Sequence, residues 1–267
     1  MFSKFKEKLI AENLSANTIR SYVYSVKSYL NSYEEWSTSN LLQYKDYLIE
    51  NCKSKTVNLR ILAINKYLEF MGKENLRLKM VKTQQKTFLE NVISLADYEY
   101  LKNCLYYDKN FMWYFIVRFL AATGARVSEL IEFKVEHIKL GYIDIYGKGV
   151  KMRRIYIPKR LQKEYLDYAD LNSIKSGFVF RNKFGDRITT RGIGYQLRIY
   201  SKKYKMNPSV VHPHSFRHLF AKTFLSKCND ISLLADLLGH DSINTTRIYL
   251  RKTSTEQQQI VNDVVTW

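Results

Sequence analysis

The sequence predicts a mainly α-helical protein with one small β-hairpin, divided into two domains. Three observations lead there. Apolar residues recur every three or four positions through most of the 267 residues. Strict alternation dominates one stretch only, near residues 142–157. A polar, aperiodic segment at residues 81–91 separates two helical regions. Glycine (10) and proline (3) are scarce, which argues against a turn-dense all-β chain. With 46% hydrophobic and 25% charged residues, the chain reads as globular rather than disordered.

Each element has its own signal. Ile19, Val23, Val26 and Leu30 keep helical spacing after the polar start Ser15-Ala16-Asn17. Leu41, Leu42 and Leu48 mark a shorter helix. Val57, Ile61, Ile64, Leu68 and Met71 step by 4, 3, 4 and 3, and Gly72 stops that helix. These stripes predict a small helical bundle over residues 1–82. Its polar faces carry Thr18, Arg20, Lys55, Thr56, Asn58 and Arg60, an ordinary solvated face or a major-groove surface. Residues 83–91 read as a linker, and 92–267 as the second domain. Ser94-Leu95-Ala96-Asp97 has a capping-box pattern, so a helix starts near residue 95. Phe111–Ala122, apolar on nearly every side, predicts a buried central helix ending at Gly124. Another helix is expected from Val127 to about Lys134. Tyr142–Tyr146 and Arg154–Ile157 alternate on either side of Gly147-Lys148-Gly149, which predicts the hairpin. Phe178–Phe180 offers a short additional strand. From residue 191 the pattern is helical again.

The charge narrows the partner. Lys and Arg number 43 against 25 Asp and Glu, a formal net charge of +18. The surplus is spread: 15 basic and 8 acidic residues lie in 1–87, and 28 and 17 in 88–267. Both domains would therefore meet a polyanion, as a clamp around a duplex would. A membrane partner is disfavoured, because no basic amphipathic segment stands apart from the core pattern. The longest apolar run is broken by Arg118 and is too short to span a bilayer. The first residues show no basic-then-apolar leader pattern, so secretion is not expected. Cys52, Cys104 and Cys228 lie far apart, which suits a reducing cytoplasm.

Two tempting motifs fail on inspection. Gly147-Lys148 suggests a phosphate-binding loop, but five residues separate it from Gly141 where four are required. Gly149 also stands where a Ser or Thr should hold magnesium. His212, His214 and His218 suggest a metal cluster, but no acid or thiol beside them completes a ligand set, and Pro213 breaks the element. Neither a metal nor another cofactor is therefore expected.

Four segments instead offer groups suited to a phosphodiester. Arg126 follows the buried helix in Ala122-Thr123-Gly124-Ala125-Arg126-Val127-Ser128-Glu129-Leu130. Lys148 sits at the hairpin tip. His214 and Arg217, three apart in His212–His218, can aim at one spot from one helical turn. His240 ends Leu237-Leu238-Gly239-His240, and Tyr249 follows nine residues later in Thr245-Thr246-Arg247-Ile248-Tyr249.

Together, and in this order, these motifs resemble the tyrosine site-specific recombinases, the Xer and phage-integrase superfamily. The resemblance covers nearly the whole chain and fills all six catalytic positions of that family: Arg126, Lys148, His214, Arg217, His240 and Tyr249. It implies a C-shaped clamp, with a SAM-like core-binding domain over 1–82 and a catalytic domain over 92–267 that ends in a tail helix. It implies Tyr249 as nucleophile, forming a 3′-phosphotyrosyl intermediate, with Arg126, Arg217 and His240 on the phosphate oxygens. Lys148 would protonate the leaving 5′ oxygen, and His214 would assist the tyrosine. Thr18, Arg20, Lys55, Thr56, Arg60 and Arg191 become candidate DNA contacts. The implied partner is double-stranded DNA bearing short specific sites, bound by a homotetramer spanning two sites, with room for an accessory protein. The tail, with Ile260, Val261, Val264 and Val265, would dock on a neighbouring protomer. Two other activities fit the same residues: a type IB topoisomerase, and a DNA-binding protein without catalysis.

Overall fold

The structure is a computed structural model that describes residues 2–83, 90–146 and 152–265. It divides into two compact units, Met1–Gln85 and Lys86–Trp267. The first holds α1 (Phe2–Ala11), α2 (Ala16–Leu30), α3 (Thr38–Asn51) and α4 (Ser54–Phe70). Ser15 and Ser37 cap α2 and α3 by accepting from backbone N–H groups three residues on. Most of the predicted stripes become the core: Val23, Val26, Leu41, Leu48, Val57, Ile61, Ile64 and Leu68 are buried together, whereas Leu42 faces solvent. Tyrosines complete it. Tyr29 stacks on Trp36 at 4.3 Å and meets Tyr44 edge-on at 5.2 Å.

Two asparagines on one face of α4 hold the chain that leaves this bundle. Asn65 accepts from Leu78 N at 2.8 Å and donates to Leu78 O at 2.9 Å. Asn58, two turns earlier, makes the same pair with Val81, both bonds at 2.9 Å. Each side-chain amide thus replaces a strand partner, satisfying extended backbone that has no sheet to join.

The second unit is built on α6 (Phe111–Thr123), preceded by α5 (Leu95–Tyr107). Buried Tyr114, Phe115, Ile116, Val117, Phe119 and Leu120 cover most of α6's circumference, as the apolar run predicts. After it come α7 (Val127–Leu130), α8 (Val135–Leu140), β1 (Tyr142–Tyr146), β2 (Met152–Tyr156), α9 (Lys159–Leu171) and α10 (Thr190–Lys203). The chain closes with α11 (Pro213–Cys228), α12 (Ile231–Leu238), α13 (Ile243–Thr246), a 3₁₀ turn over Arg247–Leu250, and α14 (Ser254–Val264). Helix α6 packs against α11, α5 and α9. No described helix is long and apolar enough to cross a membrane.

The hairpin forms in antiparallel register with Ile143 opposite Ile155 and Asp144 opposite Arg154. Arg154 fixes that register with two bonds to Asp144, at 2.8 and 2.9 Å, and lies over the Tyr142 ring.

Three expectations need correction. The helix from Val127 to Lys134 is interrupted, because Val135 N donates to Gly177 O and Val179 N donates to Phe133 O. That pairing also explains Phe178–Phe180. Instead of joining the hairpin, it forms an isolated antiparallel bridge, Lys134 to Phe178. Pro213 does not break a helix; it opens α11 at the first position, where its missing N–H costs nothing. Helix α9 went unpredicted, because its buried stripe is Leu161, Tyr165 and Ala169, too mixed in size and polarity to read as a core face.

Candidate active site

Two helix ends converge through the same device. Helix α6 stops at Gly124 and α12 stops at Gly239, both in the left-handed region with φ of 62°. A Cβ at Gly124 would stand 2.5 Å from the Phe220 ring, and one at Gly239 would stand 2.2 Å from Arg153 Cδ. Only glycine permits these turns, and each delivers a candidate residue just beyond it: Arg126 after the first, His240 after the second.

Helix α11 lies between them and contributes Arg217, 1% exposed. Its Nη1 donates to Gly124 O at 2.7 Å and its Nη2 to Leu238 O at 2.6 Å. Both acceptors belong to helix C-termini, where unpaired carbonyls and the helix dipole favour a cation. Arg217 thus joins three of the four candidate segments. Burial and then Arg126 pull it down to about 10, while the Tyr249 phenol beside it opposes the fall as a hydrogen-bond partner.

Arg217 Nη2 also donates to His240 Nε2 at 3.0 Å. A guanidinium has no acceptor, so this imidazole nitrogen accepts, and Nδ1 carries the hydrogen given to Thr246 Oγ1 at 2.8 Å. His240 is pushed down to about 4, by burial first and then by Arg217 and Arg126. His240 therefore faces the site neutral, with the nitrogen expected to meet a phosphate already accepting from Arg217.

Tyr249 lies on the 3₁₀ turn and is 3% exposed. It packs in a small cluster with Ala221, Leu225, Leu234 and Leu238. Its ring is nearly parallel to His240 at 6.0 Å and edge-on to His218 at 5.0 Å. His218 in turn meets His214 at 4.8 Å. His218 thus stands between Tyr249 and His214. It is pushed down to about 4, by burial and then by the neighbouring His214, and its buried Nδ1 has no hydrogen-bond partner. His214, the more exposed ring, is lowered as well, by burial first and Arg217 next.

Arg126 is the open member. Its Nη2 donates to Gly239 O at 3.2 Å, and its Nη1 to Glu129 Oε1 at 2.9 Å. Glu129 caps α7 by accepting from Arg126 N at 2.6 Å, and it also binds Arg153 from β2. A cavity of about 640 Å³, lined in part by Arg126, Glu129, Arg153, Gly239 and His240, opens here between the hairpin and α12.

Five of the six candidate catalytic residues are therefore gathered: Arg126, His214, Arg217, His240 and Tyr249. Lys148 lies outside the described residues. The candidate DNA contacts are more scattered in character. Lys55, Thr56 and Arg191 are exposed, and Arg20 is exposed but bonded to Asn17. Thr18 Oγ1 is bonded to the α2 cap Ser15 at 2.7 Å. Arg60 reaches into its own bundle, to Ser28 Oγ at 3.1 Å and over the Tyr24 ring. Sequence reasoning missed Glu129, Arg153, His218 and Thr246. Two of them left a trace: Glu129 falls three residues after Arg126, and Arg153 shares a strand face with buried Ile155.

Residues 82–256 match the model of the phage integrase family, and residues 2–75 match its N-terminal SAM-like domain. The chain belongs to the phage integrase family of tyrosine recombinases. Among its relatives is tyrosine recombinase XerA of Thermococcus kodakarensis, 30% identical over 95% of this chain and 91% of the relative. Tyrosine recombinase XerD of Staphylococcus haemolyticus is 28% identical over 95% and 94%. In fold, this recombinase is similar to crystalline XerA, with TM-score 0.56 and 23% identity over 100% and 98% of the two chains. It is also similar to the Tn1549 transposon integrase in complex with circular intermediate DNA, with TM-score 0.72 and 16% identity over 98% of each chain. Tyrosine recombinases cut and rejoin DNA through a tyrosine, and the described residues of this one bring Tyr249 to the arginine and histidine cluster.

Proposed function

We propose that this recombinase exchanges strands between two short specific sites on duplex DNA, with Tyr249 as its nucleophile. The observation that carries the reading is Tyr249 packed against Arg217, His240 and His218 within one subunit. The Tyr249 oxygen attacks the scissile phosphorus and gives up its proton to the neighbouring histidine pair His214 and His218. The bond to the 5′ oxygen breaks, and that oxygen leaves as a hydroxyl. The product is a 3′-phosphotyrosyl link whose energy is close to that of the bond broken, so a second 5′ hydroxyl can reverse the step without ATP. Arg126 and Arg217 hold the nonbridging oxygens with charge-assisted donors, each worth on the order of 3–4 kcal/mol to the transition state. His240 joins them as a donor when the phosphate draws Arg217 away from Nε2. Lys148 is the proton donor to the leaving oxygen. His214 assists Tyr249 through the ring of His218. Because Tyr249 is almost fully buried, the turn that carries it moves when DNA is engaged.

Both units contact the duplex, with Thr18, Arg20, Lys55, Thr56, Arg60 and Arg191 among the contacts. A domain boundary at residues 83–91 serves this arrangement. A homotetramer on two sites is the assembly we assign, acting on DNA in the cytoplasm. The tail supports it. Helix α14 buries none of its residues, and Ile260, Val261, Val264 and Val265 lie open for a neighbouring protomer.

The test is trapping on a nicked suicide substrate. Wild type should leave a protein–DNA adduct that survives denaturation, and Tyr249→Phe should bind equally well and leave none. Adduct formation by the phenylalanine variant would remove Tyr249 from the role. Binding without any adduct from wild type would favour a non-catalytic DNA-binding protein. Relaxation of supercoils without joining of two sites would favour the topoisomerase reading.

A further inference from the structure

Arg153 is a buried cation that the reaction described above does not use. It sits on β2 opposite Ile145, and its side chain points away from that of its neighbour Arg154, which is spent on Asp144. Its Nη2 is paired with Glu129, and both side chains are 9% exposed. Its Nη1 donates to Leu237 O, one residue before the α12 end that Arg217 holds. Its Nε is buried without a partner. Burial pulls its guanidinium below the usual range, Glu129 pulls it back, and Arg126 adds to the fall. Gly239 is packed against the Arg153 stem so closely that no Cβ would fit between them.

The electrostatic consequence lies in Glu129. Its carboxylate accepts from Arg126 Nη1, and Arg126 is the open phosphate-facing cation. A lone Glu129 would neutralise Arg126 and compete with an incoming phosphate for it. Glu129 also caps α7, so it cannot be dispensed with. With Arg153 on the same carboxylate, the three groups carry a net charge of +1, and the acid's demand is met from behind.

We propose that Arg153 is a positioning residue that occupies Glu129, so that Arg126 keeps its charge for the scissile phosphate, and that ties the hairpin to the His240 turn. This rests on the reading that Arg126 binds that phosphate.

The experiment measures single-turnover adduct formation on the nicked substrate, together with DNA affinity, for the full chain. Arg153→Gln should slow adduct formation by about 10–100-fold with little change in affinity, as misplacement of a phosphate-binding group does. Arg153→Lys, which keeps the cation, should recover most of the rate. Glu129→Gln combined with Arg153→Gln should be faster than Arg153→Gln alone, because the carboxylate that captures Arg126 is gone. A merely structural role predicts the opposite for the double variant, which loses one more partner. Wild-type rates from Arg153→Gln, or a double variant no faster than the single, would overturn the proposal. If Arg153→Gln fails to fold, Arg153→Lys against the double variant decides it: both should cut, and failure of either to do so while folded counts against the proposal. Arg126→Ala serves as the control. If it forms adduct at the wild-type rate, the phosphate-binding reading itself fails, whatever Arg153 does.

Discussion

Arg217 donates to Gly124 O and Leu238 O while touching Tyr249 and His240, so one side chain sets the spacing of the cluster. Its planar fork reaches two divergent carbonyls at once, which an ammonium on a flexible stem does not reproduce. Burial first, and then the neighbouring cationic and histidine groups, set the charge of the histidines. His218 and His240 fall to about 4 in the folded chain, against an unfolded value of about 6.5. Between those limits the unfolded chain binds more protons than the folded one. The contribution of these two histidines to stability is thus whole above pH 6.5 and drains away as pH falls toward 4. Urea denaturation at pH 7.5 and pH 5.0 should show a loss at the lower pH that shrinks in His218→Gln and His240→Gln. An equal loss in both variants would place the titrating groups elsewhere. At this scale the sequence was only partly legible. Arg126, His214, Arg217, His240 and Tyr249 stand in recognisable motifs, but their mutual bonds depend on backbone turns far apart in sequence. His218 reads only as a member of a rejected metal-like histidine cluster, because nothing local marks it as the residue between His214 and Tyr249.

Among the elements, α4 shows how polar residues on a helix do structural work. Asn58 reads as part of a solvated or major-groove face and Asn65 carries no signal of its own, yet each closes a two-bond ring on an extended segment. Asn65→Ala should destabilise the first unit by about 1–3 kcal/mol, since it leaves a partly buried N–H and C=O unpaired. The fall in the denaturation midpoint measures it, and Asn65→Asp, which keeps the acceptor alone, should lie between. No change in Asn65→Ala would mean that water replaces both bonds without cost. Helices α2 to α6 were legible: α2, α3 and α4 from spacing, α5 from its serine cap, and α6 from an apolar run that covers most of its circumference. The break after α7 was not, because the partner of residues 133–135 lies more than forty positions away. Helix α9 hid behind a tyrosine and an alanine for the related reason that burial there is set by α6 and α8.

For the whole molecule, the charge of +18 is the strongest long-range property. If both units track phosphates, affinity for a cognate duplex should fall by about 10³-fold or more between 50 and 200 mM salt. Filter binding or fluorescence anisotropy across that range checks it, and a nearly flat salt dependence would contradict phosphate contacts from both units. By itself the sequence determined the helical class, the hairpin, the polyanion partner and the order of the reacting groups. These follow from spacing, composition and motif, all of which are local or additive. Tertiary structure alone decided that Arg217 is buried, that His240 accepts rather than donates at Nε2, that His218 separates His214 from Tyr249, and that Arg153 shares Glu129 with Arg126. Each of those is a matter of which distant groups meet in a low-dielectric interior, where a bond or a proton is settled by neighbours the chain order does not name.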